Sequence, residues 1–201
     1  MTISVAITTA LKEWAVAVEA LAQGETILLL RKGGIREQGG SFTVEQSRFC
    51  LYPTFEHQKP HLLKPDYADQ VVPVASGWHP ETVTISAWAE MTHTFQVHEL
   101  DTVLNLLPFQ IWTADFLTER LKWKPRTPLT VLLLRVYRMA QPHTVIYDPA
   151  YGGCKSWIEL PESLASAPAI PALTEAVYLQ QVQAVSQTIS HHLSQPSSHS
   201  T

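Results

Sequence analysis

Three short segments of this 201-residue chain hold side chains that chemistry can use. In Leu30-Arg31-Lys32-Gly33-Gly34-Ile35-Arg36-Glu37, three cations surround a glycine pair. Glycine admits close backbone approach and leaves N–H groups free, so with cations beside it the segment suits an anion such as phosphate. An ordinary hairpin turn with solvated charges is spelled the same way. In Leu51-Tyr52-Pro53-Thr54-Phe55-Glu56-His57-Gln58, polar groups crowd just beyond a strand end. Glu56 beside His57 suits general acid–base work if a cleft raises the carboxylate pKa; a capped turn with satisfied hydrogen bonds is the alternative. The third segment is a basic block, Arg120, Lys122, Trp123, Lys124 and Arg126, continued by Arg135, Arg138, Lys155 and Trp157. Cations interleaved with Trp suit a stacked base and its phosphate, although core Trp plus surface Lys has the same composition. Gly152-Gly153-Cys154-Lys155 repeats the theme of paired glycines beside a cation. The binding surface read from these segments is Arg31, Lys32, Arg36, Thr54, Glu56, His57 and Lys155, with Trp112 or Trp157 as a stacking plane.

Several other chemistries lack their signatures. No Gly-x-Gly-x-x-Gly, Walker phosphate loop or Gly-x-Ser-x-Gly occurs, which leaves dinucleotide, P-loop and serine-hydrolase sites unsupported. Cys50 and Cys154 form no Cys-x-x-Cys, so neither a zinc ribbon nor a redox pair is spelled. Pro60 separates His57 from His61, and His93 and His98 fall on opposite faces of a strand, so no metal site is expected. A restriction-type nuclease needs Glu-x-Lys or Asp-x-Lys to hold Mg²⁺ against phosphate, and neither occurs; Glu56-His57-Gln58 comes nearest. Mg²⁺ therefore enters only with a metal-dependent hydrolase or nuclease alternative centred on Glu56 and His57.

The elements that must position these residues follow from periodicity. Leu11, Trp14, Val18 and Leu21 recur at helical spacing and Gly24 supplies a stop, which predicts a first helix. Thr26–Lys32, Phe42–Val44 and Arg48–Tyr52 read as strands. Prolines at 60, 65, 73 and 80 predict a long irregular excursion. From Val83 to Val97 apolar and polar residues alternate, with Trp88 and His93 as exceptions, so one face is expected to hold Val83, Ile85, Ala87, Ala89, Met91, Phe95 and Val97. Fifteen residues exceed a usual strand of roughly five or six, which implies a bend or bulge. Glu99–Leu107 and Ala114–Trp123 read as helices, the second capped by Thr113. Leu129–Val136, apolar on both faces, reads as a covered central strand, and Ser156–Leu160 as a final strand. This organisation is one α+β domain over residues 1–160, a Pro/Ala/Ser linker over 161–171, a C-terminal helix over 172–193 and a disordered tail over 194–201. The helix either docks on the domain or joins two copies through Tyr178, Val182, Val185 and Ile189.

Charge is segregated. The formal net charge of −4 argues against indiscriminate coating of nucleic acid. Residues 65–119 nevertheless contain eight acidic and no basic side chains, while 120–157 contain seven basic and one acidic. Such blocks build opposed potentials unless folding interleaves them. The N-terminus lacks a basic region and apolar core of a secretory signal, and no apolar run approaches the ~20 residues of a bilayer span, so a cytoplasmic location is expected.

Four stretches carry a resemblance: Ala10–Trp14, Leu29–Glu37, Tyr52–Gln58 and Gly153–Trp157. They resemble the domain of unknown function (DUF) 1802 family of bacteria, frequent in cyanobacteria, over about residues 8–160. That family has no assigned activity, so the resemblance implies no catalytic residues; its members have been associated with restriction–modification systems. The expected fold is α+β with a mainly antiparallel, bent or barrel-like sheet, of which the PUA and EVE nucleic-acid modules are a specific form. A three-layer nuclease-like α/β fold is the alternative. The expected function is a non-catalytic module binding nucleic acid or a nucleotide. A nuclease and an interaction protein using the C-terminal helix are the alternatives.

Overall fold

In the computed structural model, residues 6–32, 47–153, 155–165 and 169–193 are described. Arg36, the expected strand Phe42–Val44, Cys154 and the tail from Ser194 lie outside the described residues. Strand β1 (Ala6–Trp14) comes first and helix α1 (Ala15–Gln23) follows directly. Leu11 and Trp14 therefore belong to a strand, not to the first helix. Helical spacing loses here because β1 is paired with β3 on one edge and β6 on the other, which gives its backbone groups partners in the sheet. The helix does stop at Gly24, whose φ of 75° turns the chain so that Glu25 N donates to Ala20 O at 2.9 Å while Gly24 N donates to Leu21 O at 3.1 Å. A Cβ at that position would stand 2.7 Å from the Leu173 side chain.

Strands β2 (Leu28–Arg31), β3 (Arg48–Thr54), β4 (Thr82–Val97), β5 (Leu129–Ile146) and β6 (Trp157–Ala165) join β1 in the order β2-β5-β4-β3-β1-β6. A short β7 (Ala169–Pro171) adds to β5. All pairings are antiparallel except β1 with β3. The α+β class and bent, mainly antiparallel sheet follow the sequence expectation. The sheet is open, with β2 and β6 at its ends. The long β4 and β5 lose register between Ile85 and Ala87, where two steps along β4 answer five along β5, and again between Met91 and His93. The first slip divides the alternating stripe. Val83 and Ile85 pack in one core, Ala87 and Ala89 in the other, and Trp88 joins the first pair. Surplus residues bend a strand and increase its twist, so one unbroken face cannot be kept.

Two apolar clusters lie on opposite faces of the sheet, as neighbours on β3 show: Phe49 and Leu51 enter one, Cys50 and Tyr52 the other. The larger is covered by α1, α3 (Leu100–Leu104), α4 (Ala114–Lys122) and α5 (Glu175–Leu193). The smaller is closed by strand residues and Tyr151, with no α-helical residue among those described. Among the described residues helices cover one face only, an arrangement different from the three-layer alternative. A four-residue helix α2 (Pro65–Ala68) is the main regular feature of the proline-rich excursion.

The expected linker is part of the sheet: 161–165 continues β6 and 169–171 forms β7. Pro161 is tolerated because β6 is an end strand whose ladder with β1 slips between Ile7 and Thr9. Helix α5 docks on its own chain. Tyr178, Val182, Val185 and Ile189 are all buried in the larger cluster, so the face assigned to a dimer seam is already covered. Arg135, itself buried, holds Glu175 at the start of α5 at 2.8 Å and lies over the Tyr178 ring at 4.7 Å. No helix among the described residues is long and apolar enough to cross a membrane.

Candidate functional site

The parallel pairing of β1 with β3 brings their carboxyl ends side by side, at Trp14 and Thr54, and β2 ends next to them at Arg31. Residues at the ends of β1, β2 and β3 and just after β3, together with 77–80, the end of α4 and residues 147, 151–153, 155 and 156, wall a cleft of about 540 Å³. That is within the range of small-ligand sites. Arg31, Lys32, Thr54, Glu56, His57 and Lys155 all line it, so segments more than a hundred residues apart in sequence converge.

Arg31 is anchored on three sides. Its Nη1 meets Glu13 Oε2 at 2.9 Å and donates to Lys12 O at 3.3 Å, and Nη2 donates to Ser156 Oγ at 2.5 Å. Lys32 is buried, donates to the Leu121 carbonyl at the end of α4, and burial pulls its pKa below the ordinary lysine value. Arg120, the residue before Leu121 on α4, is also pulled down, first by burial and further by Arg31, while Glu13 acts in the opposite direction. Its guanidinium lies over Phe116 at 5.0 Å. Lys12 donates to the carbonyls of Tyr151 and Gly153, and Lys155 to that of Ala150 at 3.0 Å. The cleft thus carries five Lys and Arg side chains (Lys12, Arg31, Lys32, Arg120, Lys155) against two carboxylates, Glu13 and Glu56.

Glu56 is not poised as an acid or base. Its Oε1 accepts from Gly77 N at 2.6 Å and Ser76 Oγ at 3.2 Å, and lies 3.1 Å from His57 Nε2. The Gly77 hydrogen bond leads in holding the carboxyl below the usual range, the direction opposite to the one acid–base work requires. Thr54 Oγ1 donates to Glu13 O at 3.0 Å, and Gln58 accepts from Val16 N at the start of α1. Among the described residues no three His, Cys, Asp or Glu side chains gather as a metal site. Cys50 is buried in the smaller cluster, where desolvation pushes its thiol up to about 12.

Both indoles chosen as stacking planes are corrected. Trp112 is 3% exposed and stacked on Phe116 at 4.1 Å, with the edge of Trp14 at 5.0 Å; it is core. Trp157 is half-buried on β6 and sets its edge against Phe49 at 5.0 Å, outside the cleft lining. The indoles that do line the cleft and reach solvent are Trp78, 45% exposed, and Trp123, 39% exposed. Sequence signal for Trp123 existed in its cationic neighbours. For Trp78, inside the irregular excursion, there was only an indole in a segment with no apolar period to absorb it.

The model of the family described as "Domain of unknown function (DUF1802)" matches residues 10–184. The chain belongs to the DUF1802 family. The match runs past residue 160 through β6, β7 and the first half of α5, consistent with these segments being part of the DUF1802 domain and not an appendage. No curated protein matches the DUF1802 chain. Among solved structures it is similar to ASCH from Zymomonas mobilis, at 12% identity over 88% of this chain and 93% of that one, with a TM-score of 0.45. Two mutants of the same protein match alike, at 12% and 11% identity over 88% of this chain and 94% and 96% of theirs, with TM-scores of 0.45 and 0.44.

Proposed function

We propose that this DUF1802 protein is a non-catalytic module that binds single-stranded nucleic acid, or a nucleotide, in the cleft at the carboxyl ends of β1, β2 and β3. The observation that carries this is the composition of the cleft. In a chain of formal charge −4 it collects five cations against two carboxylates, beside two solvent-exposed indoles. A nucleotide carries a phosphate and a flat aromatic base on one sugar, and cation plus aromatic plane is the chemistry that takes both. The acid-only block supplies Gly77 to Pro80 and Val83 to the lining but no carboxylate, so its charge is kept out of the site.

The test uses fluorescence anisotropy of labelled single-stranded RNA and DNA about eight nucleotides long, with nucleoside monophosphates as competitors. Affinity is expected to fall with salt, log K dropping by about 0.7 per unit of log[salt] for each phosphate contacted. Arg31→Ala combined with Lys155→Ala is expected to weaken binding and flatten that slope in a protein whose circular dichroism is unchanged. Full competition by a monophosphate identifies a single-nucleotide ligand, and failure to compete identifies a strand. Unchanged affinity and slope in the folded double variant would refute the assignment.

A further inference from the structure

The fold uses up the segment from Tyr52 to Gln58 almost residue by residue. Thr54 ties to the β1 backbone, and Phe55 sets its ring perpendicular to Trp78 at 6.1 Å. Glu56 and His57 hold the turn at Gly77, and Gln58 caps α1. Tyr52 is the exception. Its hydroxyl is buried and has no hydrogen-bond partner among the described residues, although the residue lines the cleft and is 2% exposed. Buried hydroxyls are almost always satisfied, because leaving one unpaired forfeits the hydration it had in the unfolded chain.

The surroundings of that hydroxyl form a box. Tyr151 stands 5.7 Å from Tyr52 at 71°, and Tyr147 stands 6.5 Å from Tyr151 at 85°, so successive rings present near-perpendicular walls. Gly152 admits Tyr147 to this corner, since a Cβ there would lie 3.2 Å from the Tyr147 hydroxyl. Tyr151 ends a three-residue 3₁₀ turn, Pro149–Tyr151, whose carbonyl end is tied to β1 by Lys12, and its ring lines the cleft beside that of Tyr52.

We propose that the Tyr52–Tyr147–Tyr151 recess is the base-recognition end of the cleft, where the Tyr52 hydroxyl hydrogen-bonds the polar edge of one nucleobase while Arg31, Lys32 and Arg120 hold the phosphate. This rests on the nucleic-acid reading of the same cleft and adds to it a sequence preference that cations and stacking alone do not give. A hydroxyl buried among aromatic walls discriminates by the cost of leaving a mismatched edge unpaired.

The experiment titrates four labelled homo-oligoribonucleotides of one length into the full chain and into Tyr52→Phe. The wild type is expected to prefer one base. Tyr52→Phe is expected to lose about three- to tenfold affinity for that base, the worth of one neutral hydrogen bond. It should leave the other three and the salt slope unchanged, and melt no lower than wild type because the lost hydroxyl had no partner in the free protein. Equal preference in both proteins, or no preference in a wild type that binds, overturns the inference and leaves the nucleic-acid reading standing. So does a Tyr52→Phe variant melting several degrees lower, which would reveal an internal partner. A wild type that binds none of the four overturns both.

Discussion

Glu56 has three neighbours on one carboxylate oxygen: Gly77 N, Ser76 Oγ and His57 Nε2. A turn held by charge-assisted bonds depends on pH in a definite direction. The carboxyl sits below its ordinary value in the folded protein, chiefly through the Gly77 hydrogen bond. A group depressed in this way contributes stability that is present above its unfolded pKa and is lost as pH falls through the folded value. Glu56→Gln is therefore expected to melt lower than wild type at pH 7, with the gap closing in acid below the ordinary carboxylate range of about 4. Thermal melts from neutral to acid pH check this, and a gap that stays constant throughout would contradict it. The same observation separates holding a turn from catalysis. Glu56 next to His57 is the spelling of an acid–base pair, yet the partner that decides its role, Gly77, lies twenty-one residues away and outside any local pattern.

At the scale of elements, signals confined to a few residues survived folding and those that compete with strand pairing did not. Thr113 caps α4 by accepting from Phe116 N, Gly24 ends α1, and β4 is long and bent, all as their local spelling implies. Leu11 and Trp14 have helical spacing but lie in β1, because two neighbouring strands claim its backbone. Residues 161–171 have the composition of a linker, but 161–165 lie in β6 beside β1 and 169–171 pair with β5, where end-strand positions and a slipped ladder accommodate proline. Helix α5 shows the consequence for stability. Ile189 is 1% exposed in the larger cluster. Ile189→Ala is expected to cost about 2 kcal/mol or more, the lower end of the range for truncating a buried aliphatic side chain. The denaturant midpoint is expected to shift accordingly while the solution mass by sedimentation stays the same. A change in mass without loss of stability would instead place this face at a contact between copies.

Over the whole molecule, the question is whether folding evens out the charge blocks. It does so along the sheet, where Arg48 meets Glu90 at 3.0 Å and Arg135 sits opposite Glu90 in the β4–β5 ladder. It does not do so in the cleft, whose cations come from residues 12–32 and 120–155 and whose lining takes no acid from 65–119. Under the proposed reading, a cleft of about 540 Å³ on a molecule of net negative charge takes a strand or a nucleotide in preference to a broad polyanion. Duplex DNA of the same sequence is accordingly expected to bind at least about tenfold more weakly than its single strand, a difference of roughly 1.4 kcal/mol. Parallel anisotropy titrations at one salt concentration check this, and equal affinity for both forms would place binding on an open surface and not in the cleft.

Family membership, the α+β class, the long bent strand and some of the segments bordering the cleft were legible in the sequence alone. Motif spelling, apolar period and turn residues are local properties, and local properties are readable along the chain. Only the tertiary structure decided that Arg31, Lys32, Arg120 and Lys155 share one cleft, that Trp78 and Trp123 replace Trp112 and Trp157 as its exposed planes, and that the Tyr52 hydroxyl has no partner among the described residues. These are statements about which distant residues become neighbours and which polar atoms find partners. Strand order and register settle both, and no window of sequence contains them.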